Sequence, residues 1–170
     1  LEGDEPLVSD FGLAKILYAQ LDLTQFDQLR GTPAYMAPEQ TFGRPNLVAK
    51  SLDIWALGVI LYQLICRRKP FEGDSNEEII RAIQQDDPPS ASILCPGLDG
   101  NLEVIVNKCL EKDPARRYAS AGALADDLGS WLRGEPIQAR PLGWWCRRRR
   151  WMHKHPAWTA ALVLAAGLPL

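Results

Sequence analysis

Ser51-Leu52-Asp53-Ile54-Trp55-Ala56-Leu57-Gly58-Val59-Ile60-Leu61-Tyr62-Gln63-Leu64-Ile65-Cys66 is the stretch that decides how this chain folds. From Asp53 to Cys66 it is apolar nearly all round, and the charges Lys50, Asp53, Arg67, Arg68 and Lys69 bracket it. A helix with no polar face must be enclosed by protein or by lipid. Crossing a bilayer takes about 20 apolar residues, so this run reads as a buried core helix. Working outward, Ser75-Asn76-Glu77-Glu78 has the capping-box spacing and is followed by Ile79, Ile80 and Ile83, which predicts a short amphipathic helix. Leu102, Ile105, Val106, Cys109 and Leu110 recur at helical spacing and predict a third helix ending before Pro114. Ser120 as a cap, Leu124, Leu128, Trp131 and Leu132 as one face, and Gly134 as the stop predict a fourth. Upstream, Leu1 to Ser9 reads as a short β-hairpin around Gly3-Asp4-Glu5. Phe11 to Arg44 shows no sustained period and reads as a long loop, a kind of segment that usually carries function when ordered. The expected class is mainly α.

The 170 residues are 46% hydrophobic and 24% charged, enough for about one globular domain with a core. Charge is divided unevenly. Residues 1–132 carry 12 Lys/Arg and 20 Asp/Glu, whereas residues 133–170 carry 7 and 1. An acidic body argues against a nucleic-acid partner, and a basic tail beside an apolar run fits an anionic membrane surface better. Cys66, Cys95, Cys109 and Cys146 form no CxxC pair, and the two histidines are both in the tail, so neither a zinc site nor a disulfide framework is favoured. Reduced thiols are the expectation. No signal-peptide pattern opens the chain, which starts without Met at Leu1 and stops inside an apolar run at Leu170, so both ends read as cut.

The long loop is framed by Asp10-Phe11-Gly12 and Ala37-Pro38-Glu39. SDFGLAK, GTPAYMAPEQ, SLDIWALGVILYQL and LEKDPARRY follow one another in an order and at a spacing that resemble a eukaryotic-type protein kinase. The GTPAYMAPEQ stretch and the trailing basic, apolar segment look most like the bacterial membrane-anchored serine/threonine kinases. The resemblance implies the C-terminal lobe of the kinase fold, from the DFG motif onward, over residues 1–133. A linker with a basic, Trp-rich juxtamembrane segment would span 134–155, and a transmembrane helix would start over 156–170.

Phosphoryl transfer is mainly positioning and charge neutralisation, and the resemblance distributes those tasks. Asp10 would coordinate the Mg²⁺ that bridges the phosphates of ATP, where a hard cation takes carboxylate oxygen. Phe11 would pack beneath the cleft, and Gly12 would permit the backbone change between active and inactive poses. Thr32 resembles the threonine lining the substrate-docking loop of the activation segment. Thr24 is either an activating phosphosite that recruits an arginine or an ordinary polar loop residue. Glu39 and Arg117 match the ion pair that staples the end of the loop to the helical lobe. Asp53 resembles the buried acid that accepts backbone hydrogen bonds from the catalytic loop; its simpler reading is a charge favoured by the helix dipole.

The family also uses a Gly-rich loop, a strand lysine paired to a helix glutamate, and an HRD catalytic loop. None occurs in this sequence, whose only histidines are His153 and His155. The catalytic base is therefore expected upstream of Leu1, and this chain alone is expected to be inactive. Trp144, Trp145, Arg147, Arg148, Arg149, Arg150, Trp151 and Trp158 resemble an interfacial belt with its basic side inside. The uncharged run 156–170 covers about 22 Å as a helix, short of the roughly 30 Å hydrocarbon core. Its alternatives are a helix lying on the surface or a helix buried in a further domain. The partners implied are a protein substrate with Ser or Thr, ATP, the membrane, and a second copy during activation. The kinase lobe would face the cytoplasm on a single-pass membrane protein. A pseudokinase or docking scaffold is the competing reading, against which Asp10 weighs.

Overall fold

A computed structural model of the chain describes residues 33–42 and 49–139, and the regular elements among them are all helices. A 3-10 turn, Pro33–Tyr35, leads into α1, Pro38–Thr41. Then come α2, Ala49–Cys66; α3, Asn76–Gln85; α4, Ala91–Leu94; and α5, Gly100–Cys109. A second 3-10 turn, Pro114–Arg116, precedes α6, Ala121–Leu132. The expected hairpin over residues 1–9 and the start of a membrane helix over 156–170 both lie outside the described residues. Among the described residues there is no strand, and no helix is long and apolar enough to cross a membrane.

Local chemistry sets the helix ends. Ser75 Oγ accepts the Glu78 N–H at 3.2 Å, as a capping serine should, but the Glu78 carboxylate reaches past it to the Asp74 N–H at 2.9 Å. Asp99 caps α5 through the Asn101 N–H, and Ser120 caps α6 through the Ala123 N–H. Gly134, at φ 69°, takes the left-handed conformation just past α6 that favours glycine.

α2 is the axis of the lobe. One side of it gives Trp55, Val59 and Tyr62 to a cluster with Ala37, Phe71, Ile83, Ala91, Val106 and Leu110. Its other side gives Ile54 to a cluster with Ile105, Cys109, Tyr118, Leu124 and Ala139. Gly58 lets α2 and α5 approach closely: a Cβ at that position would sit 2.5 Å from the Cys109 Cβ. The enclosure is not complete, because Leu57, Ile60 and Leu64 form an outward stripe along α2.

The lobe does not stop at Gly134. Asp127, 1% exposed, accepts the Gln138 N–H at 2.7 Å, the Ala139 N–H at 2.9 Å and the Tyr118 hydroxyl at 2.8 Å. Ile137 and Ala139 thereby pack on the second cluster, so the first residues of the proline-punctuated stretch after Gly134 are docked.

Candidate functional site

The chemistry of the described residues converges on one buried guanidinium. Arg117, directly after the second 3-10 turn, has a fully buried side chain, and the Glu39 carboxylate facing it is 14% exposed. The pair is bidentate, with Nη1 to Oε1 and Nη2 to Oε2 both at 2.7 Å. This fork geometry suits arginine and no other side chain. Its remaining donors go to backbone carbonyls: Nε to Glu111 at 2.8 Å, Nη1 to Ser51 at 2.9 Å and Nη2 to Lys112 at 3.5 Å. Ser51 Oγ donates to Glu39 Oε1 at 3.2 Å, which ties the start of α2 to the same carboxylate. Arg117 thus joins α1, α2 and the loop after α5, segments that are 78 residues apart at the extremes.

An aromatic floor supports the pair. Trp55 and Phe71 stack with centroids 5.8 Å apart, and the Arg117 guanidinium lies 5.0 Å from the Trp55 ring. Lys112 Nζ sits 4.1 Å from the Phe71 centroid and donates to the Ile83 carbonyl, fastening α3 to the same centre. α1 is held independently: Gln40 Oε1 accepts the Ala37 N–H at 2.6 Å, and Gln84 Nε2 donates to Thr41 Oγ1 at 2.8 Å. At the other end of this segment the Tyr35 hydroxyl donates to Gln63 Oε1 at 2.8 Å.

Of the residues singled out from sequence, Glu39 and Arg117 are brought together as described. Asp53 lies in the second turn of α2 and is exposed rather than buried; no HRD loop exists in this sequence to cover it. Asp10, Phe11, Gly12, Thr24 and Thr32 lie outside the described residues, as do Trp144, Trp145, Arg147, Arg148, Arg149, Arg150, Trp151 and Trp158. No cluster of His, Cys, Asp and Glu among the described residues could hold a metal ion, so the metal assignment rests on Asp10 alone. Sequence reasoning missed the carbonyls that fill the donors of Arg117, and it missed Asp127. LEKDPARRY contains Glu111 and Lys112, but nothing in its letters says that their carbonyls turn inward.

A family model described as protein kinase domain matches residues 3–128. The chain belongs to the protein kinase family. It is 40% identical over 128 residues to serine/threonine-protein kinase Pkn1 of Myxococcus xanthus, covering 74% of this chain and 18% of that protein. It is 35% identical over 133 residues to serine/threonine-protein kinase PknB of Mycobacterium tuberculosis, covering 78% and 21%. With serine/threonine-protein kinase PrkC of Bacillus subtilis the identity is 36% over 121 residues, covering 71% and 18%. Among solved structures, the twitchin kinase region from C. elegans superposes with a TM-score of 0.51 at 25% identity, covering 56% of this chain and 16% of that one. The chain spans about a fifth of the length of the curated relatives it matches. The relatives named here are bacterial serine/threonine-protein kinases, and within this chain the Glu39–Arg117 pair fastens α1 to the helical lobe.

Proposed function

We propose that the chain supplies the activation segment and helical lobe of a kinase that moves the γ-phosphoryl group of ATP to a serine or threonine hydroxyl of a protein substrate. The observation that carries this reading is the bidentate Glu39–Arg117 pair, which holds the last residues of the GTPAYMAPEQ stretch against the lobe. When bound, Mg-ATP supplies the transferred group and much of the charge neutralisation. Asp10 is the residue of this chain assigned to the metal. Pro33–Thr41 would present the substrate, held at Tyr35 by Gln63 and at Glu39 by Arg117. The base that takes the hydroxyl proton is absent from this sequence, so the chain by itself should neither bind ATP measurably nor transfer phosphate.

The reading extends to location. The tail from Trp144 to Trp158 would lie at an anionic membrane surface, where each basic side chain is worth about 1 kcal/mol, with the lobe on the cytoplasmic side. Protease protection in inverted vesicles should leave residues 1–140 open to cleavage; full protection would reverse the orientation. The central test replaces the matching segment of the Myxococcus xanthus kinase with residues 1–133. That chimera should transfer labelled phosphate to Ser and Thr peptides but not Tyr peptides, and Asp10→Asn should abolish the transfer. A folded chimera that transfers nothing would favour a docking scaffold, and transfer by the 170-residue chain alone would refute the division of labour.

A further inference from the structure

Between the 3-10 turn Pro33–Tyr35 and the chain leaving α2 lies a cleft of about 310 Å³ that the Glu39–Arg117 pair does not use. Its apolar floor is Ala34, Phe71 and Ile79, and its wall is Gln63 with the consecutive cations Arg67, Arg68 and Lys69. One carboxylate, Glu72, belongs to the lining, and it is already engaged: it holds Arg68 at 2.9 Å and accepts the Lys69 N–H at 3.2 Å. Gln63 uses its carbonyl oxygen on Tyr35, which leaves its NH₂ as the polar group it can offer. Lys69 Nζ is placed 5.4 Å from the Tyr35 centroid. The wall is therefore rich in donors and net positive, on a body where residues 1–132 carry 20 acids against 12 bases.

Arg67 adds an independent observation. It is exposed, at φ 55°, and is the one non-glycine residue with positive φ among the described residues. A helix normally ends in this conformation with glycine, because a β-carbon is strained there. An arginine held at a glycine position, in no ion pair among the described residues, points to a use for the charge rather than for the fold.

We propose that this cleft takes an acidic side chain of the protein substrate, so that the kinase prefers Ser or Thr sites with a nearby glutamate. The inference rests on the kinase reading above, since resemblance assigns Thr32, the residue directly before the Pro33–Tyr35 turn in sequence, to the substrate-docking loop. A glutamate fits because its two methylenes can lie on the apolar floor while the carboxylate meets Arg67, Lys69 and the Gln63 NH₂. A phosphorylated serine offers the same charge chemistry on a shorter stem.

The test is fluorescence anisotropy of the 170-residue chain with labelled peptides around one serine, flanked by Glu, Gln, Lys or phosphoserine. The Glu peptide should bind about tenfold tighter than the Gln and Lys peptides and weaken as salt rises. Tighter binding of the phosphoserine peptide than of the Glu peptide would overturn glutamate as the occupant. R67E/K69E should remove the Glu preference and turn it toward Lys. Arg67→Gly relieves the backbone strain, so it should melt no lower than the parent and still lose affinity for the Glu peptide. No binding, charge-blind binding, or affinity unchanged in both variants would overturn the proposal. The chimera separates the two readings: phosphoryl transfer without acidic preference sinks only the cleft, whereas acidic binding by the chain with no transfer by the chimera sinks only the reaction.

Discussion

Arg117→Ala removes a fork that makes two 2.7 Å bonds to Glu39 and donates to the carbonyls of Ser51 and Glu111 at 2.9 and 2.8 Å. The substitution leaves a mostly buried carboxylate without its cation and strips donors from backbone groups that have no water to replace them. Breaking one partner of a buried ion pair costs about 3–5 kcal/mol. Domains store only about 5–15 kcal/mol in total, and each lost kcal/mol lowers Tm by roughly 4 °C or more in a lobe of this size. A drop of more than about 10 °C is expected by circular dichroism. The matched control is Arg116→Ala, one residue away. Arg116 is 44% exposed and stands 3.8 Å from the buried Glu111 carboxylate without the fork geometry, so its loss should cost less than that of Arg117. Arg117→Lys keeps the charge but not the fork, and should fall between the two. Pairing Arg117→Met with Glu39→Gln removes both charges, so the double variant should recover part of what Arg117→Met loses. Equal melting temperatures for Arg116→Ala and Arg117→Ala would refute the reasoning, because the two differ in burial and geometry rather than in charge.

Gly58→Ala should destabilise the lobe by about 1–3 kcal/mol in urea unfolding, because the new Cβ meets the Cys109 Cβ at 2.5 Å; a gain in stability, as alanine normally gives in a helix, would disprove the close crossing. Burial works to raise the Asp127 carboxyl, but hydrogen bonds from Gln138, Tyr118 and Ala139 outweigh it and hold it below the usual carboxylate range. Its stabilisation is thus present above the unfolded value near pH 4 and is lost as pH falls through the lower folded value. Asp127→Asn should cost about 2 kcal/mol at pH 7 and flatten the decline as pH falls below about 4; parallel declines would exclude this role. Burial pushes the Cys109 thiol up to about 12, against the favourable charges of Lys108 and Arg117. Iodoacetamide at pH 8 should therefore leave Cys109 unmodified in the native chain and alkylate it in urea, and native labelling would contradict its enclosure.

The core helix was readable because an apolar run of 14 residues has few places to go, yet its bounds and faces were not. α2 starts at Ala49 rather than Asp53, since Ala49 and Lys50 favour a helix without contributing apolar periodicity. A run that is apolar all round cannot declare which side is covered, and Leu57, Ile60 and Leu64 turned outward. Capping chemistry was legible at Ser75 and Ser120, because a cap is a contact of three residues. The Asp127 clamp was not, because its backbone partners lie 11 and 12 residues away in a stretch whose prolines read as a linker. Glu39 and Arg117, 78 residues apart, were paired only through the family resemblance; periodicity carries no information at that range.

The two ends of the 33–41 segment are fixed by different kinds of bond, and this bears on how the lobe can present a substrate. The Glu39 end is fastened by a buried, bidentate ion pair, strong because the guanidinium has no water to exchange with. The Tyr35 end is fastened by a single exposed hydroxyl–amide bond to Gln63 and by Lys69 over the ring. A neutral bond in solvent contributes only about 0.5–1.5 kcal/mol, so the exposed Tyr35 side chain can adjust while Pro33 and Ala34, both buried, stay in place with α1. A substrate side chain entering the basic cleft would meet the adjustable end and not the staple. On the proposed reading of the cleft, substitutions at Gln63, Arg67 and Lys69 would change which side chain it accepts without loss of the fold that Arg117 holds.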